Sequence, residues 1–111
     1  AINLVYTINE PAASGAAEAL QAAANDATLV SVDGGCDPGM KLVAAGVIDA
    51  TAQQYPLAMA EQGIDAVADW LEDETRPTPN HGIDMVATRV KLVTDEPQPD
   101  VPSISVAQGL M

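Results

Sequence analysis

Apolar positions along this chain fall in short runs separated by turn residues, and their spacing changes once, after Pro56. The first run, Ile2 to Ile8, places Ile2, Leu4, Val5 and Ile8 so close together that it predicts a strand buried on both faces. It stops at Asn9-Glu10-Pro11, where Asn9 or Glu10 can cap a helix that Pro11 starts. Ala12, Ala13, Ala16, Ala17, Leu20, Ala23 and Ala24 give that helix a continuous stripe of small residues, and Asn25-Asp26-Ala27 closes it. Leu29, Val30 and Val32 then form a second strand, which ends in a carboxylate, Asp33, followed at once by Gly34-Gly35. Asp37 can cap a second helix with Pro38 in its first position, and Met40, Leu42, Val43 and Ala44 form its body. Gly46 stands where a left-handed terminator belongs. The run Val47 to Ala52 leads to Gln53-Gln54-Tyr55-Pro56 as a third strand. Residues 1 to 54 thus read β-α-β-α-β, two units with tight connections and right-handed crossovers.

Beyond Pro56 the period becomes helical: Leu57, Ala60, Ile64, Val67, Ala68 and Leu71 recur over about four turns. Asp65, Asp69, Glu72, Asp73 and Glu74 line the outer face and the C-terminal end, where negative charge opposes the helix dipole. A loop with Pro77, Pro79, Asn80 and Gly82 follows, and Met85 to Thr94 alternates well enough to predict an edge strand. Asp95 to Ser103 contains three prolines and reads as a linker or wrapping tail, and Ile104 to Met111 is too short to stand alone.

At 111 residues and 48% hydrophobic the chain suits one small domain, with a core of Ala, Val, Leu and Ile, because Phe is absent. Sixteen acidic residues against four basic ones give a net charge of −12, which repels phosphate backbones and anionic lipids and argues against nucleic acid as a partner. Cys36 is the single cysteine, so neither an internal disulfide nor a thiolate metal cluster can form within the chain. A catalytic thiol needs a base, and the single histidine, His81, sits in the turn-rich run TRPTPNHG, so a Cys-His pair is not supported. There is no glycine-rich phosphate loop and no metal-ligand cluster, so the sequence asks for no cofactor and points to no enzyme.

In parallel sheets, ligands gather at the carboxyl ends of strands, where Asn9, Asp33 and the Gln53-Gln54 pair all fall. Asn9 and Asp33 occupy equivalent places, each past a strand and before a helix, and both capping and ligand contact fit them. The order IxxVYTINEPAASGAAEAL, LVSVDGG, GVIDATAQQYP, a long helix and a closing VKLVTDE resembles the C-terminal part of a type I periplasmic sugar-binding protein of the ribose and fructose group. The resemblance implies an α/β, parallel-sheet, three-layer lobe that is incomplete here, and hence a fragment. It also implies a division in which residues 1–54 belong to the C-terminal sugar-binding lobe, 55–82 form a crossover and helix of the other lobe, 83–95 return, and 96–111 are a Pro-rich tail.

Residue by residue, the resemblance carries sugar contact to Asn9, Asp33 and Gln54, with Gln53 one position away as a competitor. A carboxylate accepts from two hydroxyls and an amide both donates and accepts, which vicinal sugar hydroxyls require. Glu10 stands where relatives often have Asp, and Cys36 follows Asp-Gly-Gly as in the fructose-type branch. The implied function is the solute-binding component of an ABC importer, periplasmic or extracellular, with a monosaccharide ligand and a membrane permease as partners. The effector-binding domain of a LacI-type regulator shares the fold and stays open as an alternative. The apolar stripe of the long helix, deprived of the other lobe, predicts a homodimer or higher oligomer for the chain by itself.

Overall fold

The computed structural model describes residues 2–80 and 85–110. His81, Gly82 and the first residues of the returning segment expected at 83–95 therefore lie outside the described residues. Two compact units are present, 1–54 with 90–111, and 55–89.

The first unit is a mixed α/β fold. Strands β1 (Leu4–Tyr6), β2 (Thr28–Asp33), β3 (Ala50–Gln53) and β4 (Lys91–Val93) form a four-stranded sheet in that order. β1, β2 and β3 are parallel, with Leu4 opposite Thr28 and Val30 opposite Ala50, and β4 is antiparallel to β3, with Thr51 opposite Val93. Helix α1 (Glu10–Ala22) joins β1 to β2. A turn over Cys36–Met40, closed by the Met40 N–H donating to the Gly35 carbonyl at 2.8 Å, and helix α2 (Lys41–Ala44) join β2 to β3. Ala13 of α1, Leu29, Met40, Val43, Ile48, Val93 and Val106 make one buried cluster, with Val5, Leu20, Leu42 and Ile104 packed against it.

Local chemistry explains the boundaries. Asn9 has extended backbone angles and its side chain accepts from the Ala12 N–H, while Pro11 sits in the first turn, so α1 starts where its free N–H groups find an acceptor. Gly46, at φ +65°, ends the second helical stretch in the left-handed conformation.

Four expectations need correction. β1 is not buried on both faces, because Leu4 and Tyr6 are 60% and 64% exposed. It lies at the edge of the sheet, and the helices cover only the face that carries Val5 and Thr7. Asp37 does not cap a helix: it is extended, as the residue before a proline is pushed to be, and its carboxylate pairs with Lys41 Nζ at 2.6 Å. That pair is largely exposed and contributes on the order of 0–1 kcal/mol. The third strand begins at Ala50 rather than Val47, since 46–49 form the turn that carries the buried Ile48. The strand expected over 85–94 is reduced to Lys91–Val93, because pairing ends where the short partner β3 ends.

The C-terminal tail wraps the sheet. Ile104 pairs in parallel with Val93, its N–H donating to the Leu92 carbonyl at 2.9 Å and its carbonyl accepting from Thr94 at 3.0 Å. The outer side of β4 is thereby hydrogen-bonded. Ser105 and Gln108 then form a reciprocal capping box on α4 (Val106–Gly109), and Val106 enters the core.

The second unit is built on helix α3 (Pro56–Asp73), which has the bounds that the periodicity and Pro56 predict. None of its residues is buried. Glu74, at φ +61°, terminates it. Hydrogen bonds from the Thr75 side chain and N–H hold the exposed Asp73 carboxyl below its ordinary pKa. The Arg76 guanidinium lies 4.8 Å from the centre of the Trp70 ring, a cation–π contact. Among the described residues no helix is long and apolar enough to cross a membrane.

Candidate functional site

The carboxyl ends of β1, β2 and β3 bring Asn9, Asp33 and Gln54 to one edge of the sheet. Asn9 spends its side-chain oxygen on the Ala12 N–H at 2.9 Å, which leaves its NH2 group to donate elsewhere, so capping and ligand contact are compatible at this residue. Asp33 closes β2 with an exposed side chain and a backbone φ of +113°. A non-glycine residue in this region is strained, and such residues cluster where a backbone is held for a purpose. The Asp33 carbonyl accepts from the Gln54 N–H at 2.9 Å, which fastens the second residue of the set to the third.

Gln53 and Gln54 differ in what they do. The Gln53 amide donates to the Gly109 carbonyl at 2.9 Å and lies 3.5 Å from the Gly34 carbonyl, so it ties the C-terminal helix α4 to the end of the sheet. Gln54 is half-buried, and its backbone N–H is the group bonded to Asp33. Gly34, at φ +66°, passes so close to Gln53 that a side chain there would overlap the Gln53 backbone. Cys36 is exposed beside this edge.

Beneath the edge lies a buried polar cluster that sequence reasoning missed. Glu10 is 3% exposed, and its Oε1 accepts from the Gly34 N–H at 2.8 Å and from Thr51 Oγ1 at 3.2 Å. Thr7 Oγ1 donates to Ser31 Oγ at 3.0 Å. All four polar side chains are buried, and no buried side-chain polar atom among the described residues lacks a partner. A signal was present in the sequence: Thr7 just past β1, Ser31 in β2 and Thr51 in β3 are polar residues among apolar neighbours, and Gly39 leaves space for a carboxylate. Glu10 instead reads as a cap, because it precedes Pro11.

The edge offers an exposed carboxylate, an amide whose NH2 group is not used by the cap and a second amide close by, over a buried, hydrogen-bonded polar floor. Carboxylate and amide groups of this kind have the donors and acceptors to hydrogen-bond hydroxyl groups, and the three residues include neither a nucleophile-base pair nor a phosphate cradle. No cluster of three metal-binding side chains exists among the described residues. An open cleft of about 650 Å³ lies at the other end of the strands, lined by Glu18, Gln21, Asp26, Leu42, Val47 and Asp49. Asp49 there is occupied, its Oδ2 accepting from the Leu29 N–H at 2.7 Å. Asp33 and Gln54 are not among the residues that line this cleft.

No family model and no curated protein matches the chain. Among solved structures, the crystal structure of a galactofuranose-binding protein is similar, with a TM-score of 0.64 and 26% sequence identity. The alignment covers 82% of this chain and 30% of that one, so the chain spans less than a third of its neighbour's length. The neighbour is a binding protein. With its parallel-dominated sheet and this match, the chain has the α/β fold of a periplasmic-binding-protein lobe.

Proposed function

We propose that this chain carries part of the sugar site of a solute-binding protein that serves an ABC importer, with Asn9, Asp33 and Gln54 as its hydroxyl-binding residues. The observation that carries the reading is Asp33: an exposed carboxylate on a strained backbone at the end of a parallel strand, fastened to Gln54, in a chain of which 82% is similar in structure to a galactofuranose-binding protein. A monosaccharide is the ligand, with furanose sugars first among those to test, and the whole protein works outside the cytoplasmic membrane with a permease as its partner. The division into lobes puts 1–54 in the sugar-binding lobe, 55–82 in a crossover toward the other, 83–95 in the return and 96–111 in the tail. The chain alone pairs with a second copy through the apolar stripe of α3, where Leu57, Ile64 and Leu71 are exposed.

Hydroxyl contacts gain most where two lobes exclude water, so the chain alone binds sugar weakly. Calorimetry with methyl galactofuranoside, fructose and ribose is expected to give no tight binding to the isolated chain, and a micromolar dissociation constant would defeat the fragment reading. In the longer protein, Asp33→Ala is expected to abolish uptake, because a sugar hydroxyl loses its charged acceptor at a cost of about 1–3 kcal/mol or more. Uptake that survives the change would reduce Asp33 to a structural residue.

A further inference from the structure

The structure assigns Glu10 as a positioning residue that clamps the Asp33–Gly34 peptide and so fixes the pose in which the Asp33 carboxylate meets a ligand. The assignment takes the ligand and its contact with Asp33 from the sugar-site reading, and the clamp itself from the geometry.

The geometry is a two-sided grip. At one edge of the peptide unit the Gly34 N–H donates to Glu10 Oε1 at 2.8 Å, and at the opposite edge the Asp33 carbonyl accepts from the Gln54 N–H at 2.9 Å. A peptide unit is planar, so holding both its groups fixes ψ of Asp33 and φ of Gly34 together. Asp33 itself stands at φ +113°, a conformation that persists only where its surroundings over-determine it. Glu10 supplies much of that determination. Its side chain is buried, and the oxygen that accepts from Gly34 is also steadied by Thr51 Oγ1 from β3. Its stem is anchored as the first residue of α1, so helix, loop and strand meet at one oxygen. The space is built for it: a side chain at Gly39 would overlap the Glu10 carboxylate. Asn9, the neighbouring residue, is oriented by the same helix start.

This reading makes a spectroscopic demand on the unaltered chain. A through-hydrogen-bond coupling should connect the Gly34 amide nitrogen to the side-chain carboxyl carbon of Glu10. Glu10→Gln retains an oxygen for Gly34 and Thr51, and is expected to keep the Gly34 and Asp33 amide resonances near their original positions. Glu10→Ala is expected to move both and to speed Gly34 amide exchange by about tenfold or more, the scale of one lost hydrogen bond to a charged acceptor. Gly39→Ala, which leaves Glu10 in place but denies its carboxylate the space, is expected to lose the coupling as Glu10→Ala does. In titrations with methyl galactofuranoside followed at Asp33, Glu10→Ala should weaken the response by about tenfold and Glu10→Gln should restore it. Absence of the coupling in the unaltered chain overturns the assignment even if Glu10→Ala fails to fold, and so does a Glu10→Ala chain that folds with unmoved Asp33 and Gly34 resonances. If the coupling is present and no sugar perturbs Asp33, the clamp stands and the sugar reading falls.

Discussion

The two units of this chain use the same apolar alphabet to opposite effect. In the unit of 1–54 and 90–111, a helix with a modest stripe of alanines buries Ala13 completely, and seven residues, each from a different segment, share one core. In the unit of 55–89, an 18-residue helix with a clearer amphipathic pattern buries nothing. The difference teaches that periodicity specifies a helix while burial requires a partner surface. α1 has β2 within reach through a short connection; α3 has a stripe of Leu57, Ile64, Val67 and Leu71 that remains exposed. The same contrast separates the candidate site from its surroundings, because every residue proposed to meet sugar belongs to the packed unit and is braced by it.

The largest effect that sharpens the comparison is a core truncation. Leu29 is 2% exposed at the centre of the buried cluster, so Leu29→Ala is expected to destabilise the chain by about 2–5 kcal/mol in urea unfolding, independent of protein concentration. A loss below about 1 kcal/mol would show that this core is not what holds the unit together.

A smaller effect belongs to α3. Leu71→Asp at the exposed stripe is expected to change the unfolding free energy by no more than about 0.5 kcal/mol at low concentration. At high concentration it should shift sedimentation equilibrium from dimer toward monomer, since the proposed contact between copies runs through that stripe. A compact monomer for the unaltered chain at micromolar concentration would contradict the second-copy proposal, and a large intrinsic destabilisation by Leu71→Asp would erase the distinction between the units.

What the sequence made legible follows from the same contrast. α3 was readable to both ends because Pro56 starts it and the 3.6-residue period runs uninterrupted, and these are local properties. The Asn9 cap and the left-handed Gly46 were readable for the same reason. The exposure of Leu4 and Tyr6 was not, because whether a strand is covered on one face or two depends on what packs there. The alternation of Met85 to Val90 looked like part of a strand, but β3 offers only four residues to pair with. Glu10 was the most consequential omission. A carboxylate before proline at a helix start has an ordinary explanation in sequence, and its burial against Gly34, Gly39 and Thr51 exists only after three distant segments meet. Asn9, Asp33 and Gln54 could be placed at one sheet edge by topology alone, whereas the strain at Asp33 and the different engagement of Gln53 depend on how the folded segments meet.

The central claim is that the carboxyl edge of the sheet, and no other surface, receives a sugar. Amide resonances of the chain recorded during a titration with methyl galactofuranoside test it most directly, since weak binding still moves the peaks of the residues it touches. The account predicts saturable shifts at Asn9, Asp33, Gly34 and Gln54, with Glu18, Asp26 and Asp49 around the opposite cleft unmoved; shifts centred on that cleft instead, with Asp33 silent, would contradict it.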